Sequence, residues 1–258
     1  MPFSSVIETL RPYMLDERFS RLDDVSRLQM RGISVVLESL YDPGNQAAVL
    51  RSADAHGVLD VHIIKPENAT KANARQVSRG AEKWLDIHRW SETSSCVDQL
   101  KAQGFQIAVS DLQASQPLET VDFSRPTAIV FGNERFGISE EMAAAADVRF
   151  RIPMYGFVQS FNIAVAAGIT LHSARRARER ALGALTDLTE AQRRELLAVW
   201  MCRSVDTAER LLEDAGVELS SEMRLSAFPK GFRRPKRRLA GQAPAIGKDP
   251  ALFRGRLD

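Results

Sequence analysis

The sequence predicts an α/β protein built on a parallel sheet with flanking helices, and three observations carry that expectation. Short β-branched runs alternate with helical periodicity over residues 32–180. One run, Thr127-Ala-Ile-Val-Phe131, is continuously apolar and bounded by Pro126 and Gly132, the mark of a strand buried on both faces. A long helical stretch over 161–180 closes the alternation.

The elements follow in order. Residues 1–31 read as helical and charged, with Leu22, Val25, Leu28 and Gln29 at three- and four-residue spacing among Arg18, Arg21, Arg27 and Arg31. A helix so studded with arginine is more often a solvated face than an RNA contact. Ile33–Glu38 is a strand candidate, broken by Tyr41-Asp-Pro-Gly44. Asn45 opens a helical run through His56 that Gly57 stops, and Val61–Ile64 is a second strand ended by Pro66. Asn73–Ala81 and Ser94–Gln103 read as helices, and Gly104 introduces the strand Phe105–Ser110. After Thr127–Phe131 come a helix at Ser139–Ala146, capped by Ser139, and a strand at Val148–Ile152. The stretch 161–180 ends in Arg175, Arg176, Arg178 and Arg180, where cations suit the helix dipole. Thr189–Ala215 is amphipathic and helical, and from about Phe228 Pro, Gly, Lys and Arg suggest a flexible tail. The expected layout is a helical extension (1–31), an α/β domain (32–180), a second helical extension (181–222) and a basic tail (223–258).

The 258 residues, 44% hydrophobic and 26% charged, suit one domain with appendages. Net charge is only +2, yet residues 223–258 carry ten Lys/Arg against Asp249 and Asp258, leaving the rest at −6. A mildly acidic body with a basic tail suggests a polyanionic partner. No apolar run approaches the roughly 20 residues of a membrane helix, and Met1–Leu10 lacks the pattern of a signal peptide. Cys96 and Cys202 are isolated, which points to two ordinary thiols in a reducing cytoplasm and to no metal or disulfide framework. Neither HExxH, GxG nor a P-loop occurs, so a nucleotide-like cofactor would bind by another route.

Three segments carry polar residues that packing does not explain. In Asp42–Asp54, Asn45 and Arg51 stand six apart, off a shared helical face, and each also fits a bland role as cap or surface cation. In Phe131-Gly-Asn-Glu-Arg-Phe-Gly-Ile-Ser139 a buried strand runs into Gly132, Asn133 and Glu134, at the edge where open α/β sheets bind ligands. Glycines 132 and 137 permit tight turns and close ligand approach. In Ile152–Ala167, Ser160 is placed to cap the following helix and Asn162 sits in its first turn, where a buried amide needs partners.

Together these read N-x5-R-[ST]-x-D-x-x-G-V, FGNE-R-x-G-[IV]-[ST] and IPM-x-G-x-V-Q-S-x-N-[IV]-x-V-A-A. In that order they resemble the three motifs of the SpoU/TrmH family, SPOUT-class RNA 2′-O-ribose methyltransferases. The resemblance covers about residues 18–215, and its layout is most like the branch that methylates a guanosine ribose of the tRNA D-loop. It leaves out the first dozen residues and the basic tail, and Phe161 stands where the family usually has Leu. It implies a C-terminal deep trefoil knot, a feature that pattern alone would never suggest. It implies S-adenosylmethionine as cofactor, held mainly by backbone near Ser110, Gly132, Ile152 and Phe161. It implies Arg51 as the catalytic arginine, with Asn45, Glu134, Ser160 and Asn162 shaping the site. RNA, tRNA in preference to rRNA, is then the partner, and the chain a homodimer through the knot region. An rRNA methyltransferase is the alternative within that chemistry, and a non-catalytic RNA-binding relative the alternative outside it.

Overall fold

The computed structural model describes residues 2–65 and 80–228. Its α/β unit is a seven-stranded, wholly parallel sheet. The strands are β1 (Met30–Glu38), β2 (Val58–Ile64), β3 (Asp86–Trp90), β4 (Gln106–Ser110), β5 (Gln116–Pro117), β6 (Thr127–Phe131) and β7 (Val148–Arg151), in the order β3-β2-β1-β6-β4-β7-β5. The helices are α1 (Pro2–Leu10), α2 (Asp16–Ser26), α3 (Pro43–Ala55), α4 (Thr93–Ala102), α5 (Glu140–Ala145), α6 (Ile163–Leu182), α7 (Glu190–Ser204), α8 (Ala208–Asp214) and α9 (Ser221–Ala227).

The two faces of the central strands are both apolar, as the unbroken hydrophobic runs foretell. On one side Val35, Leu37, Ile129 and Phe131 pack with Val49, Leu50 and Ala53 of α3 and Leu171 and Ala174 of α6. On the other, Val36, Ile107, Ala128 and Val130 pack with Cys96, Val97 and Leu100 of α4 and Met142 of α5. Burial pushes the Cys96 thiol up to about 12, helped by the charge of Glu38, so Cys96 is an inert core residue.

The two helical extensions form a single layer. Val6 and Leu10 of α1, Leu22 of α2, Leu196–Cys202 of α7, Leu212 of α8 and Met223 and Ala227 of α9 share one cluster around Trp200. The basic segment set at 223–258 therefore opens inside a packed helix, because Met223 and Ala227 are buried. Residues 229–258 lie outside those described, as do 73–79 of the helix expected at Asn73–Ala81.

Other boundaries differ for identifiable reasons. Two edge strands escape sequence reading: β3, half-exposed and carrying His88 and Arg89, and the two-residue β5. Thr189–Ala215 divides into α7 and α8; α7 opens with a capping box of Thr189 and Gln192. Of the four arginines assigned to the end of the helix over 161–180, only Arg180 stands in the last turn. Arg175 and Arg178 are buried: Arg175 donates to the carbonyls of Leu28 (2.7 Å) and Leu185 (2.5 Å), and Arg178 pairs with Asp187 (2.8 Å). Asp187 in turn accepts from the N–H groups of Arg31 and Gly32, which ties α6 to the start of β1.

Candidate active site

The strand order reverses between β1 and β6: the chain runs outward from β1 through β2 to β3, then fills the other side through β4 and β5. At such a switch point the loops leaving the carboxyl ends splay apart and make a crevice. Here they are the β1–α3 loop, residues 39–42, and the β6–α5 turn, residues 132–139.

Three side chains, Asn133, Glu38 and Glu134, hold this crevice. Asn133 Nδ2 donates to the Ser39 carbonyl at 2.6 Å, and its Oδ1 accepts from the N–H groups of Arg135 and Phe136. Ser39 has φ +54°, a left-handed conformation rare for a residue with a side chain, and one concentrated at functional sites. Glu38, buried at the end of β1, accepts from Ser139 N–H (2.9 Å), Ser139 Oγ (2.7 Å) and Thr93 Oγ1 (2.9 Å). Glu134 reaches across the crevice: one carboxylate oxygen accepts from Tyr41 N–H (2.9 Å), the other from Asn45 Nδ2 (2.9 Å) and, more weakly, Asp42 N–H (3.4 Å). Partial burial opposes its ionisation, but the bonds from Asn45 and these N–H groups outweigh it and hold the carboxyl below the ordinary range.

The third segment joins the same network. Asn162 Nδ2 donates to Asn45 Oδ1 at 3.1 Å, so Asn162, Asn45 and Glu134 form one hydrogen-bonded chain across three distant stretches of sequence. Asn162 is itself the N-cap of α6, accepting from Ala164 N–H at 2.9 Å, and Ser160 lies exposed in the preceding loop. The capping role expected of Ser160 thus belongs to Asn162. Likewise Asp42, not Asn45, caps α3, accepting from Gly44 N–H at 2.7 Å with Pro43 as first helical residue. The Asp-Pro pair was the available signal, since Pro fits the first helical position and Asp the cap before it.

Arg51 lies six residues, about 1.7 turns, beyond Asn45 on α3, is exposed, and makes no hydrogen bond or ion pair among the described residues. Ser110, Gly132 and Ile152 stand at the carboxyl ends of the adjacent strands β4, β6 and β7, and Phe161 directly precedes the α6 cap. Gly132 has a reason unconnected with any ligand: a Cβ there would meet the Gly137 carbonyl carbon and oxygen at 2.5 Å and Ile138 N at 2.6 Å. The turn closes on itself, with Asn133 and Gly137 exchanging N–H···O bonds of 2.7 and 2.8 Å. Sequence reasoning missed Glu38 and Ser39 and gave Asn133, which it placed at this edge, no role; for Glu38 a carboxylate at the end of an apolar strand was the legible sign.

The comparisons with known proteins agree with this geometry. The tRNA (guanosine(18)-2′-O)-methyltransferase of Thermus thermophilus is 35% identical over 167 residues, covering 64% of this chain and 86% of that one. The crystal structure of the A. aeolicus TrmH/SpoU tRNA modifying enzyme superposes with a TM-score of 0.65 at 32% identity, covering 74% of this chain and 98% of that one. An AdoMet-bound rRNA methyltransferase from Sinorhizobium meliloti gives a TM-score of 0.52 at 31% identity, covering 60% of this chain and 59% of that one. Residues 32–172, which hold the sheet, the crevice and the Asn162–Asn45–Glu134 chain, match the SpoU rRNA Methylase family, and the chain belongs to it.

Proposed function

We propose that this chain is an S-adenosylmethionine-dependent methyltransferase that modifies a ribose 2′-hydroxyl of tRNA, at the D-loop guanosine 18 specified in the names of its relatives. The observation that carries the reading is the Asn162–Asn45–Glu134 chain, which gathers three sequence segments at the switch-point crevice. S-adenosylmethionine, when bound, supplies an electrophilic methyl group on a sulfonium.

Ser110, Gly132, Ile152 and Phe161 would hold the cofactor, and their surroundings fit it. The first three share one edge of the sheet. Among the described residues the backbone of 153–161 makes no hydrogen bond, so its N–H and C=O groups stand available to a ligand. Contacts through backbone would leave room for Phe161 in the place of Leu. The return of α6 from beyond β7 to pack on α3 supports a deep trefoil knot in this segment.

The methyl acceptor needs its hydroxyl oriented and its proton removed. Arg51 carries five donors and no acceptor, so it serves by gripping the ribose–phosphate and stabilising developing charge on oxygen, not as a base. Glu134 is engaged by Tyr41, Asp42 and Asn45 and is a weak base; it positions the β1–α3 loop. Asn45 and Asn162 fix the start of both helices, and exposed Ser160 remains for the substrate. A phosphate oxygen of the RNA then takes the proton.

Tyr155, Phe157 and Val158 are exposed, as are Val165 and Ile169 of α6. Exposed apolar side chains so close in sequence support a homodimer formed through this region. The extensions 1–31 and 181–222 would scaffold RNA contacts, and the basic tail would track phosphates. Labelled S-adenosylmethionine incubated with separate tRNA and rRNA pools, followed by mapping of the modified ribose, tests the reading. We expect label in tRNA at one 2′-oxygen. Label confined to rRNA, or none, would overturn it.

A further inference from the structure

Opposite the crevice, at the far end of α3, lies a cavity of about 550 Å³ that the methyl-transfer site does not use. Leu22 and Val25 of α2 line it with Trp84 and Trp200; the two indoles meet edge to face at 5.6 Å, Trp200 is buried, and Lys83 Nζ lies 4.9 Å from the centre of the Trp84 ring. Asp54 reaches this cavity, and among the described residues its carboxylate accepts no hydrogen bond and joins no ion pair. Burial with no compensating donor pushes that carboxyl up to about 6. Arg18 stands exposed at the same cavity and makes no ion pair among the described residues, whereas Arg175 and Arg176, which also line it, are paired with Glu179. The cavity thus offers an apolar lining, one uncommitted carboxylate and the guanidinium of Arg18.

We propose that this cavity binds an unstacked guanine and, resting on the RNA-modifying reading above, that the guanine belongs to the RNA substrate. Guanine alone among the common bases presents two adjacent donors, N1–H and the exocyclic amine, that match both oxygens of a carboxylate. Its O6 and N7 suit a guanidinium. Adenine and cytosine set a bare ring nitrogen beside their amine, which the carboxylate repels. The apolar lining of Leu22, Val25 and Trp84 does not distinguish one base from another, so discrimination falls to Asp54. Asp54 lies three residues after Arg51 on α3, about 4.5 Å along its axis, which keeps a base bound here within reach of the RNA whose ribose–phosphate Arg51 grips.

Equilibrium dialysis of the full chain against GMP, AMP and CMP, with wild type and Asp54→Asn, tests the pocket. Asn keeps the shape but turns one acceptor into a donor. Wild type should hold GMP about tenfold more tightly than AMP, and Asp54→Asn should lose that preference. Arg18→Gln, at an exposed position, should weaken GMP and AMP alike. Methyl transfer to tRNA by Asp54→Asn should show a KM raised about tenfold with kcat unchanged. Equal binding of GMP and AMP by wild type, or a preference that survives in Asp54→Asn, overturns the pocket. A preference for GMP with an unchanged KM for tRNA overturns the assignment to RNA and leaves a free guanine nucleotide as ligand. A wild type that prefers GMP yet methylates no RNA overturns the proposed function and not the pocket.

Discussion

Replacing Glu134 by Gln separates a positioning carboxylate from a catalytic base. The side chain accepts from two backbone N–H groups and from Asn45 Nδ2, so all its close partners are donors. A Gln amide keeps one oxygen for them and aims its own N–H₂ at the rest. Bonds to a charged acceptor are worth about 1.5–3 kcal/mol when buried; at this exposed site about 1–2 kcal/mol is the expected loss. That lowers the unfolding midpoint by about 2–6 °C. Glu134 ionises more readily folded than unfolded, so its contribution is present above the ordinary value of 4.5 and is lost as acid protonates the folded carboxylate. Thermal unfolding of Glu134→Gln and wild type should therefore differ at pH 7 and converge in acid. With the β1–α3 loop released, methyl transfer should fall about a hundredfold, the cost of a misplaced reacting group, while its pH profile keeps its shape. Unaltered stability combined with loss of one limb of the pH–rate profile would refute the reasoning and make Glu134 the base.

Arg51→Ala should reduce methyl transfer by about 10²–10³-fold and leave both folding and cofactor affinity intact, as calorimetry beside a transfer assay would show; Arg51→Lys should be nearly as poor, since an ammonium lacks the planar fork. Gly132→Ala should destabilise the fold by about 1–3 kcal/mol in denaturant titration, because its Cβ collides with backbone at Gly137 and Ile138; stability within about 0.5 kcal/mol of wild type would mean the turn yields freely. Burial, and then the neighbouring charge of His88, lower His62 to about 4, so the unfolded chain takes up its proton first and stability should drop by about 3 kcal/mol as pH falls from 6.5 towards 4, a dependence that His62→Gln should abolish. Removing residues 229–258 should weaken RNA binding and flatten its log–log salt slope by slightly under one unit for each phosphate the tail had neutralised, leaving the rate at saturating RNA unchanged; an identical slope would make the tail a solvated appendage.

What was legible in the sequence depended on whether local chemistry decided the outcome. Thr127–Phe131 reads as a buried strand from its unbroken apolar run, and Ser139 before Glu140 and Glu141 reads as a cap from residue type and place, though not as the partner of Glu38 that it also is. β3 was invisible because an edge strand with His88 and Arg89 facing outward has no apolar run to announce it. At the site, spacing flagged Asn45, Glu134 and Asn162 as unusual, but not that they touch one another. Their separations of 89 and 117 residues are bridged by sheet order, a property of the whole chain. Ser39 escaped for a different reason: its strained φ is imposed by the loop it closes, and nothing in the residue type declares it.

The arginines show why a count of charges misleads about where RNA could sit. Arg31 reads in sequence as a solvated cation and Arg175 and Arg178 as complements of a helix dipole, yet these three and Arg203 are each spent inside the fold. Arg31 pairs with Asp60 and Asp86 at 2.7 and 2.8 Å, and Arg203 meets Asp86 at 2.9 Å and the carbonyls of Lys83 and Ser226. Together with Arg175 and Arg178 they bind the helical layer to the amino end of the sheet, so neutralising one would leave buried carboxylates and carbonyls unpaired at a cost of about 3–5 kcal/mol. These guanidinium groups are therefore unavailable to phosphate however basic the segment containing them. A cation that can meet RNA must be exposed and uncommitted, as Arg51 is among the described residues. Since residues 1–222 carry net negative charge, attraction for a polyanion has to come from few such side chains and from the ten Lys/Arg after residue 222. Long-range attraction and local grip are then divided between different parts of the chain, and salt should weaken the first far more than the second.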